Sequence, residues 1–204
     1  MNGEVMTQPE IAAVVLAAGA SSRMGEPKQL MPVGGRPMVR RVTEAVCAAG
    51  LGQVIVVVGA HAGAVQQAVD ELPVETVVNA NWIEGMSSSL RAGVLALRPE
   101  IRAVVIVLAD QPALTPDLLR ALAVCYQKTG SQIVAPYYGG QRGNPVLFDR
   151  ALFPELLALG GDRGARELLV RREQEIERVE TNDPMLLADV DTREDYQAIP
   201  ANHP

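Results

Sequence analysis

Four short apolar runs rich in β-branched residues, IAAVVL (11–16), QVIVVV (53–58), VETVVNA (74–80) and AVVIVLAD (103–110), alternate with stretches of helical periodicity. That alternation constrains the fold more than any other feature. A run of about six apolar residues that stops at a glycine or a polar cluster fits a strand buried on both faces. Between the runs, Met38, Val42, Ala45, Val46 and Ala49 form one helical stripe ended by Gly50, and Val65, Ala68, Val69 and Leu72 form a second. Leu90, Val94 and Leu97 mark a third helix, with Ser87 or Ser88 as its cap. Pro116–Lys128 is a fourth, with Thr115 as N-cap and Pro116 at the first helical position. This order predicts an α/β fold: a single-domain, Rossmann-like three-layer sandwich with a mostly parallel sheet and helices on both faces. AVVIVLAD, the most apolar run, is expected near the middle of that sheet.

Past residue 130 the alternation loosens. QIVAPYYGGQRGNPVLF (132–148) reads as two extended segments joined through Gly139-Gly140, and 149–159 and 163–173 read as short helices. IERVE (176–180) and LLADVDT (186–192) read as extended, with a last helix from near Arg193. Residues 1–10 read as a flexible tail, and 11–199 as one domain. A chain of 204 residues that is 48% hydrophobic can bury a sizeable core. Its net charge of −6 and 3% aromatic content argue against nucleic-acid and membrane-surface binding, though not against a locally basic pocket. No apolar run is long enough to span a bilayer, and MNGEVMTQPE lacks the pattern of a secretory signal. Cys47 and Cys125 lie far apart in apolar surroundings, which fits two buried thiols in a reducing cytoplasm. With His61 and His203 as the only histidines, a histidine-based zinc site is not expected.

In an open parallel sheet, ligands bind beyond the carboxyl ends of the strands. Polar loops at 17–28, 79–89, 109–113 and 189–192 all follow expected strands. The first loop, within LAAGASSRMGEPKQL (16–30), carries Gly19, Ser21, Ser22, Arg23, Gly25 and Lys28. Small residues let backbone N–H groups approach an anion, Arg23 can grip phosphate oxygens as a planar fork, and Lys28 adds a point charge. The Walker pattern is absent, since Gly25 is followed by Glu26 and Pro27, and the dinucleotide glycine spacing is absent too. Asp110 ends the most apolar run, where a carboxylate needs a partner; with phosphate-seeking cations nearby, Mg²⁺ suits it. Asp189 and Asp191 point in alternate directions, so one of the two is expected to face the site. Asn79, Asn81 and the serines of NWIEGMSSSL (81–90) suit a ribose or a base edge. Each feature also has a structural reading: a solvated surface loop, a loop-ordering aspartate, a plain helix cap.

Taken in order, LAAGASSRMGEPKQLMPVGGRPM, NWIEGMSSSLRAG, LADQPAL, GGQRGNPVLF, GGDRGAR and DVDTREDY resemble the molybdenum cofactor cytidylyltransferases, within the wider guanylyltransferase-like nucleotidyltransferases. The resemblance spans residues 11–196. It implies the nucleotide-diphospho-sugar transferase type of fold, with a nucleotide-binding half at 11–130 and an acceptor-binding half at 131–199. It also implies Mg²⁺-dependent transfer of CMP from CTP to the phosphate of molybdopterin, with release of pyrophosphate. An apo-molybdoenzyme of the oxidoreductase type would be the downstream partner. By the same resemblance Arg23 and Lys28 would bind the triphosphate, Asp110 would be the principal Mg²⁺ ligand, and Asp191 the second. Leu16, Ala17, Ala18, Gly19, Ser22 and Gly25 would line the nucleotide pocket, with Asn79, Ser87 and Ser88 near the ribose or base. Arg142, Gly143, Asn144, Asp162 and Arg166 would face the pterin. Many relatives have histidine where Asn144 stands, and an amide cannot take over a proton-transfer role. Three other readings are a sugar-1-phosphate nucleotidyltransferase, a non-catalytic cofactor carrier and an NAD(P) oxidoreductase, the last disfavoured by the missing fingerprint.

Overall fold

The computed structural model describes residues 10–21, 25–187, 189–190 and 192–198. In chain order its strands and α-helices are β1 (Ile11–Ala17), β2 (Pro32–Val33), β3 (Arg36–Pro37), α1 (Met38–Ala48), β4 (Val54–Val58), α2 (Ala62–Val69), β5 (Glu75–Val78), α3 (Met86–Leu95) and β6 (Ala103–Leu108). There follow α4 (Pro116–Thr129), β7 (Ile133–Tyr138), β8 (Gln141–Arg142), β9 (Val146–Asp149), α5 (Phe153–Ala158), α6 (Arg166–Arg171), β10 (Ile176–Glu180) and α7 (Arg193–Ala198). The main sheet runs β10-β7-β9-β6-β1-β4-β5, with β8 attached to β7. β6, β1, β4 and β5 are parallel, as are β7 and β10, whereas β9 runs antiparallel to both its neighbours.

Alternation along the central strands divides the core into two layers. Ile11, Ala13, Val15 and Ala17 of β1 pack with Val39, Val42 and Val46 of α1, Val65 and Val69 of α2, and Leu118, Leu119 and Leu122 of α4. Val14 points the other way, against Leu90 and Val94 of α3, Phe153 and Leu156 of α5 and Leu168 of α6. Sheet and helices thus make three layers, as the sequence predicts. AVVIVLAD does lie in mid-sheet as β6, buried on both faces over Ala103–Val107. Leu16 pairs with Leu108 and Ala17 with Val58, so the loops after β1, β4 and β6 open at one edge. Thr115 caps α4 as expected, its Oγ1 accepting from Leu118 N at 3.3 Å, and α7 begins at Arg193.

Several local expectations are corrected. Ser87 and Ser88 do not cap α3: Gly85 is its N-cap, with φ +99°, and both serines lie buried in the first turn. Gly85 is required by close approach, since a Cβ there would stand 2.7 Å from Asp162 Cα and 2.8 Å from the Gly161 oxygen. The region 132–148 holds three strands rather than two segments, because the return strand breaks between β8 and β9. The helices after β9 are shorter than the periodicity suggests, with a 3-10 turn at Arg150–Leu152 before α5 and α6 starting only at Arg166. LLADVDT is not a strand where it is described; Pro184–Leu187 is a 3-10 turn, started by Asp183 Oδ1 accepting from Met185 N at 2.9 Å. The small β2–β3 hairpin has no counterpart in the sequence reading. Cys47 and Cys125 are only half-buried; both are unpaired thiols whose pKa burial raises. Residues 1–9 of the expected tail lie outside the described residues. Among the described residues no helix is long and apolar enough to cross a membrane.

The packing of α3 on the sheet depends on Gly93, where an added Cβ would meet Val14 Cγ1 at 2.4 Å and Val57 Cγ2 at 3.1 Å. Alanine is worth about 1 kcal/mol over glycine in an open helix. Overpacking of a buried site costs about 1–3 kcal/mol. Gly93→Ala is therefore expected to lower stability in urea unfolding despite its helix propensity. A stabilised variant would mean that the helix shifts at no cost.

Candidate active site

The loop after β1 is fastened from beneath by Gln29. This side chain is 4% exposed. Its Nε2 donates to Gly19 O at 2.7 Å and reaches Ala17 O at 3.5 Å, while its Oε1 accepts from Ser21 Oγ at 2.8 Å. Ser21 Oγ in turn accepts from Lys28 N at 3.0 Å. The outgoing and returning legs of the loop are thereby tied together, and Ser21 holds a left-handed φ of +54°. Carbonyl oxygens that face Gln29 are turned inward, away from an incoming anion.

Lys28 leaves the 3-10 turn Lys28–Leu30 and reaches across to the end of β6. Its Nζ lies 2.7 Å from Asp110 Oδ2, both side chains being 20% exposed, and donates to Val190 O at 3.0 Å. Val190 N closes the arrangement by donating to Asp110 O at 3.0 Å. The Val190 side chain is buried with Val33 of β2 and Met38, which ties the C-terminal segment to the hairpin. Asp110 Oδ1 and both amide atoms of Gln111 are buried without a hydrogen-bond partner. A carboxylate oxygen buried in this state is costly unless an ion or ligand takes it. Asp110 Oδ1 thus offers one oxygen of the kind a divalent cation prefers, although the described residues hold no cluster of three or more His, Cys, Asp or Glu around it. Arg41 Nε steadies the same loop by donating to Pro112 O at 2.7 Å.

The opposite wall is the start of α3 clasped by the loop before α6. Met86 N donates to Asp162 Oδ1 at 3.3 Å, Ser87 N to Gly161 O at 3.1 Å, and Ser87 Oγ to Gly160 O at 3.1 Å. The helix N-terminus is thus satisfied by protein. Asn79 Nδ2 donates to Ser88 Oγ at 2.8 Å and Ser89 Oγ at 3.0 Å, and its Oδ1 accepts from Asn81 N. Those bonds fix the turn at Trp82–Glu84. Between the walls lies a cleft of about 1130 Å³, whose lining includes Ala18, Gly19, Lys28 and Asp110 together with Arg142, Arg163 and Arg166. Pockets for one drug-sized ligand run to about 300–1,000 Å³, so a nucleotide and a second substrate can share it.

Residues 13–177 match the family described as MobA-like NTP transferase domain. The chain belongs to the MobA-like NTP transferases. This makes it a nucleotidyltransferase by family, on the single-domain α/β fold with a mostly parallel sheet shared by its structural relatives. It is 33% identical over 195 residues to "Nicotine blue oxidoreductase" of Paenarthrobacter nicotinovorans, covering 91% of this chain and 94% of that protein. The crystal structure of a homolog of Mycobacterium tuberculosis Rv0371c, from Mycobacterium sp. strain JC1, superposes with TM-score 0.83 at 29% identity, covering 94% of this chain and 95% of that one. The Rv0371c complex with manganese gives TM-score 0.80 at 30% identity, covering 94% and 97%.

For a MobA-like transferase the cleft gathers most, not all, of the residues singled out in sequence. Leu16, Ala17, Ala18, Gly19, Lys28, Asp110, Arg142, Asn144, Asp162 and Arg166 line it. Gly25, Asn79, Ser87, Ser88 and Gly143 are not among its lining residues; Gly143 N donates to Pro136 O at 2.9 Å. Ser22, Arg23 and Asp191 lie outside the described residues. Asp189, of the expected pair, lines the cleft. Sequence reasoning passed over Gln29, Trp82, Ile83, Met86 and Arg163, all of which line it too. Gln29 stands in the midst of a polar loop, where burial has no periodic signature. Replacing it by leucine removes the donor to Gly19 O and the acceptor of the Ser21 hydroxyl hydrogen. Gln29→Leu is expected to cost about 1–3 kcal/mol in chemical denaturation and to speed amide exchange at residues 18–21. Unchanged exchange there would mean that the loop holds its shape by itself.

Proposed function

We propose that this nucleotidyltransferase moves CMP from CTP to the terminal phosphate of a molybdopterin-type acceptor, releasing pyrophosphate. The observation that carries the reading is the pairing of Lys28 with Asp110 in a cleft that Arg142, Arg163 and Arg166 also line. Several cations lining one cleft suit two phosphorylated substrates meeting there. Trp82, Ile83 and Met86 add apolar surface, Ile83 being 80% exposed, which suits a flat heterocycle better than a hydroxyl-rich sugar. The acceptor phosphate is already an adequate nucleophile, so no general base is needed. One of its oxygens bonds to the α-phosphorus as the bond to the pyrophosphate oxygen breaks, in line. Backbone amides of 18–21 and the Lys28 ammonium hold the triphosphate, with Arg23 assigned to the same task. Lys28 balances the charge that grows on the departing pyrophosphate. Asp110, with Asp191, would hold Mg²⁺, which when bound supplies charge neutralisation to phosphate oxygens. Arg142 and Arg166 position the acceptor, and Asn144 contributes an amide rather than a proton. The partners on this reading are CTP, the pterin and a recipient apo-molybdoenzyme, in the cytoplasm.

Base choice is assigned in part to Ala18, which lines the cleft and whose Cβ packs against Gly59. A methyl-sized change in a pocket is worth about 1–3 kcal/mol, enough for partial discrimination. Pyrophosphate release with CTP and molybdopterin is the direct test, with GTP, UTP and ATP alongside; a preference for GTP would overturn the cytidylyl reading. Ala18→Gly is expected to raise kcat/KM for GTP relative to CTP without reversing the order. Asp110→Asn is expected to lose about a hundredfold or more in rate while remaining folded. Near-normal turnover in that variant would remove Asp110 from the site. The name of the relative from Paenarthrobacter nicotinovorans supports one other reading, a reductase. NADPH oxidation by the purified protein coupled to reduction of an added organic electron acceptor, with no pyrophosphate formed, would favour it.

A further inference from the structure

Asp110 has two oxygens in different situations. Oδ2 lies 2.7 Å from Lys28 Nζ, whereas Oδ1 is buried with no hydrogen-bond partner. The ammonium that neutralises the carboxylate also donates to Val190 O, so it is lodged in the place where charge is most needed. A carboxylate already paired with an ammonium attracts a divalent cation weakly, and two cations on one carboxylate repel each other in a half-desolvated site. A triphosphate arriving on the loop changes this balance. It offers Lys28 several charged oxygens to exchange for Asp110 Oδ2, and strong charge-assisted hydrogen bonds with them.

We propose that Lys28 is exchanged between two partners: it holds Asp110 in the free protein and the nucleoside triphosphate in the complex, so that Asp110 takes a divalent cation only once the nucleotide has taken Lys28. This rests on the reading of Asp110 as the metal carboxylate and of Lys28 as a phosphate binder. The local anchoring fits such an exchange. Lys28 N is fixed by Ser21 Oγ, and the neighbouring Gln29 is buried and bonded at both ends of its amide. The backbone therefore stays in place while the four-carbon stem turns. A compact charge on a flexible stem can change partners in this way, whereas a bidentate guanidinium fork would hold the carboxylate. The exchange makes Lys28 the element that couples metal binding to nucleotide binding, and such coupling is reciprocal.

Triphosphates chelate divalent cations by themselves, so cooperation between CTP and metal does not test the exchange. The free protein does. Mn²⁺ binding is followed by electron paramagnetic resonance without nucleotide, for the wild type, Lys28→Met, Asp110→Asn and the double variant, each checked for folding by circular dichroism. Couplings between sites are typically about 5- to 150-fold. Lys28→Met is expected to bind Mn²⁺ tighter than wild type by a factor in that range, and the gain is expected to vanish in the double variant. Lys28→Gln, neutral and polar with a shorter side chain, should show the same gain and replaces the first variant if that one does not fold. Wild-type affinity in both neutral variants would overturn the exchange and leave the metal assignment standing. Mn²⁺ held in the CTP complex equally well by wild type and Asp110→Asn would overturn the metal assignment itself, and the exchange with it.

Discussion

Everything at the site follows from the parallel pairing of β1 with β6. Ile11 to Leu16 run level with Ala103 to Leu108, and Ala109 N donates to Leu16 O at 3.2 Å just past the last pair. Both strands are buried almost throughout, so a slip in register would misplace side chains on both faces at once. The loop of small residues and the acidic strand end therefore emerge side by side. Lys28 spans the short gap between them, and Val190 seals it from the C-terminal side through two main-chain bonds. A segment more than 150 positions later in sequence is thereby drawn to the same edge, which the pair at 28 and 190 records directly as a separation of 162.

The two halves of the cleft are joined as firmly as the strands. Gly85 lets the start of α3 lie directly on Gly161 and Asp162, and the first N–H groups of that helix are spent on this contact. Asp162 is consequently a helix-terminal partner as well as a lining residue, and its carboxylate is well placed there by charge. The same loop carries Arg163 into the cleft, and α6 follows with Arg166 at its first position. A change at Gly85 would act on both walls at once. This explains how residues far apart in the sequence line one cleft within a single domain.

Much of this was legible in the sequence because strand burial and loop position have simple signatures. Runs such as IAAVVL and AVVIVLAD announce themselves by length and β-branching, and the rule that ligands sit beyond strand ends then picks out Gly19, Lys28 and Asp110. What stayed hidden depends on partners far away in the chain. Gln29 and Val190 act through tertiary hydrogen bonds, and neither residue type carries a motif of its own. Ser88 looks like a cap from its place before an apolar stripe, but Asn79 and the carbonyls of Asn81 and Gly85 claim its hydroxyl. The stretch LLADVDT has an apolar start and alternating acids, yet Asp183 and Pro184 start a 3-10 turn that runs through Leu187.

We assign the 17–28 loop and Asp110 to one triphosphate and metal site. A crystal structure with a non-hydrolysable CTP analogue and Mn²⁺ tests it most directly. The account predicts an anomalous manganese peak within coordination distance of Asp110, with the phosphate chain lying along the N–H groups of residues 18–21. A nucleotide bound elsewhere, or manganese bound without Asp110 among its ligands, would contradict it.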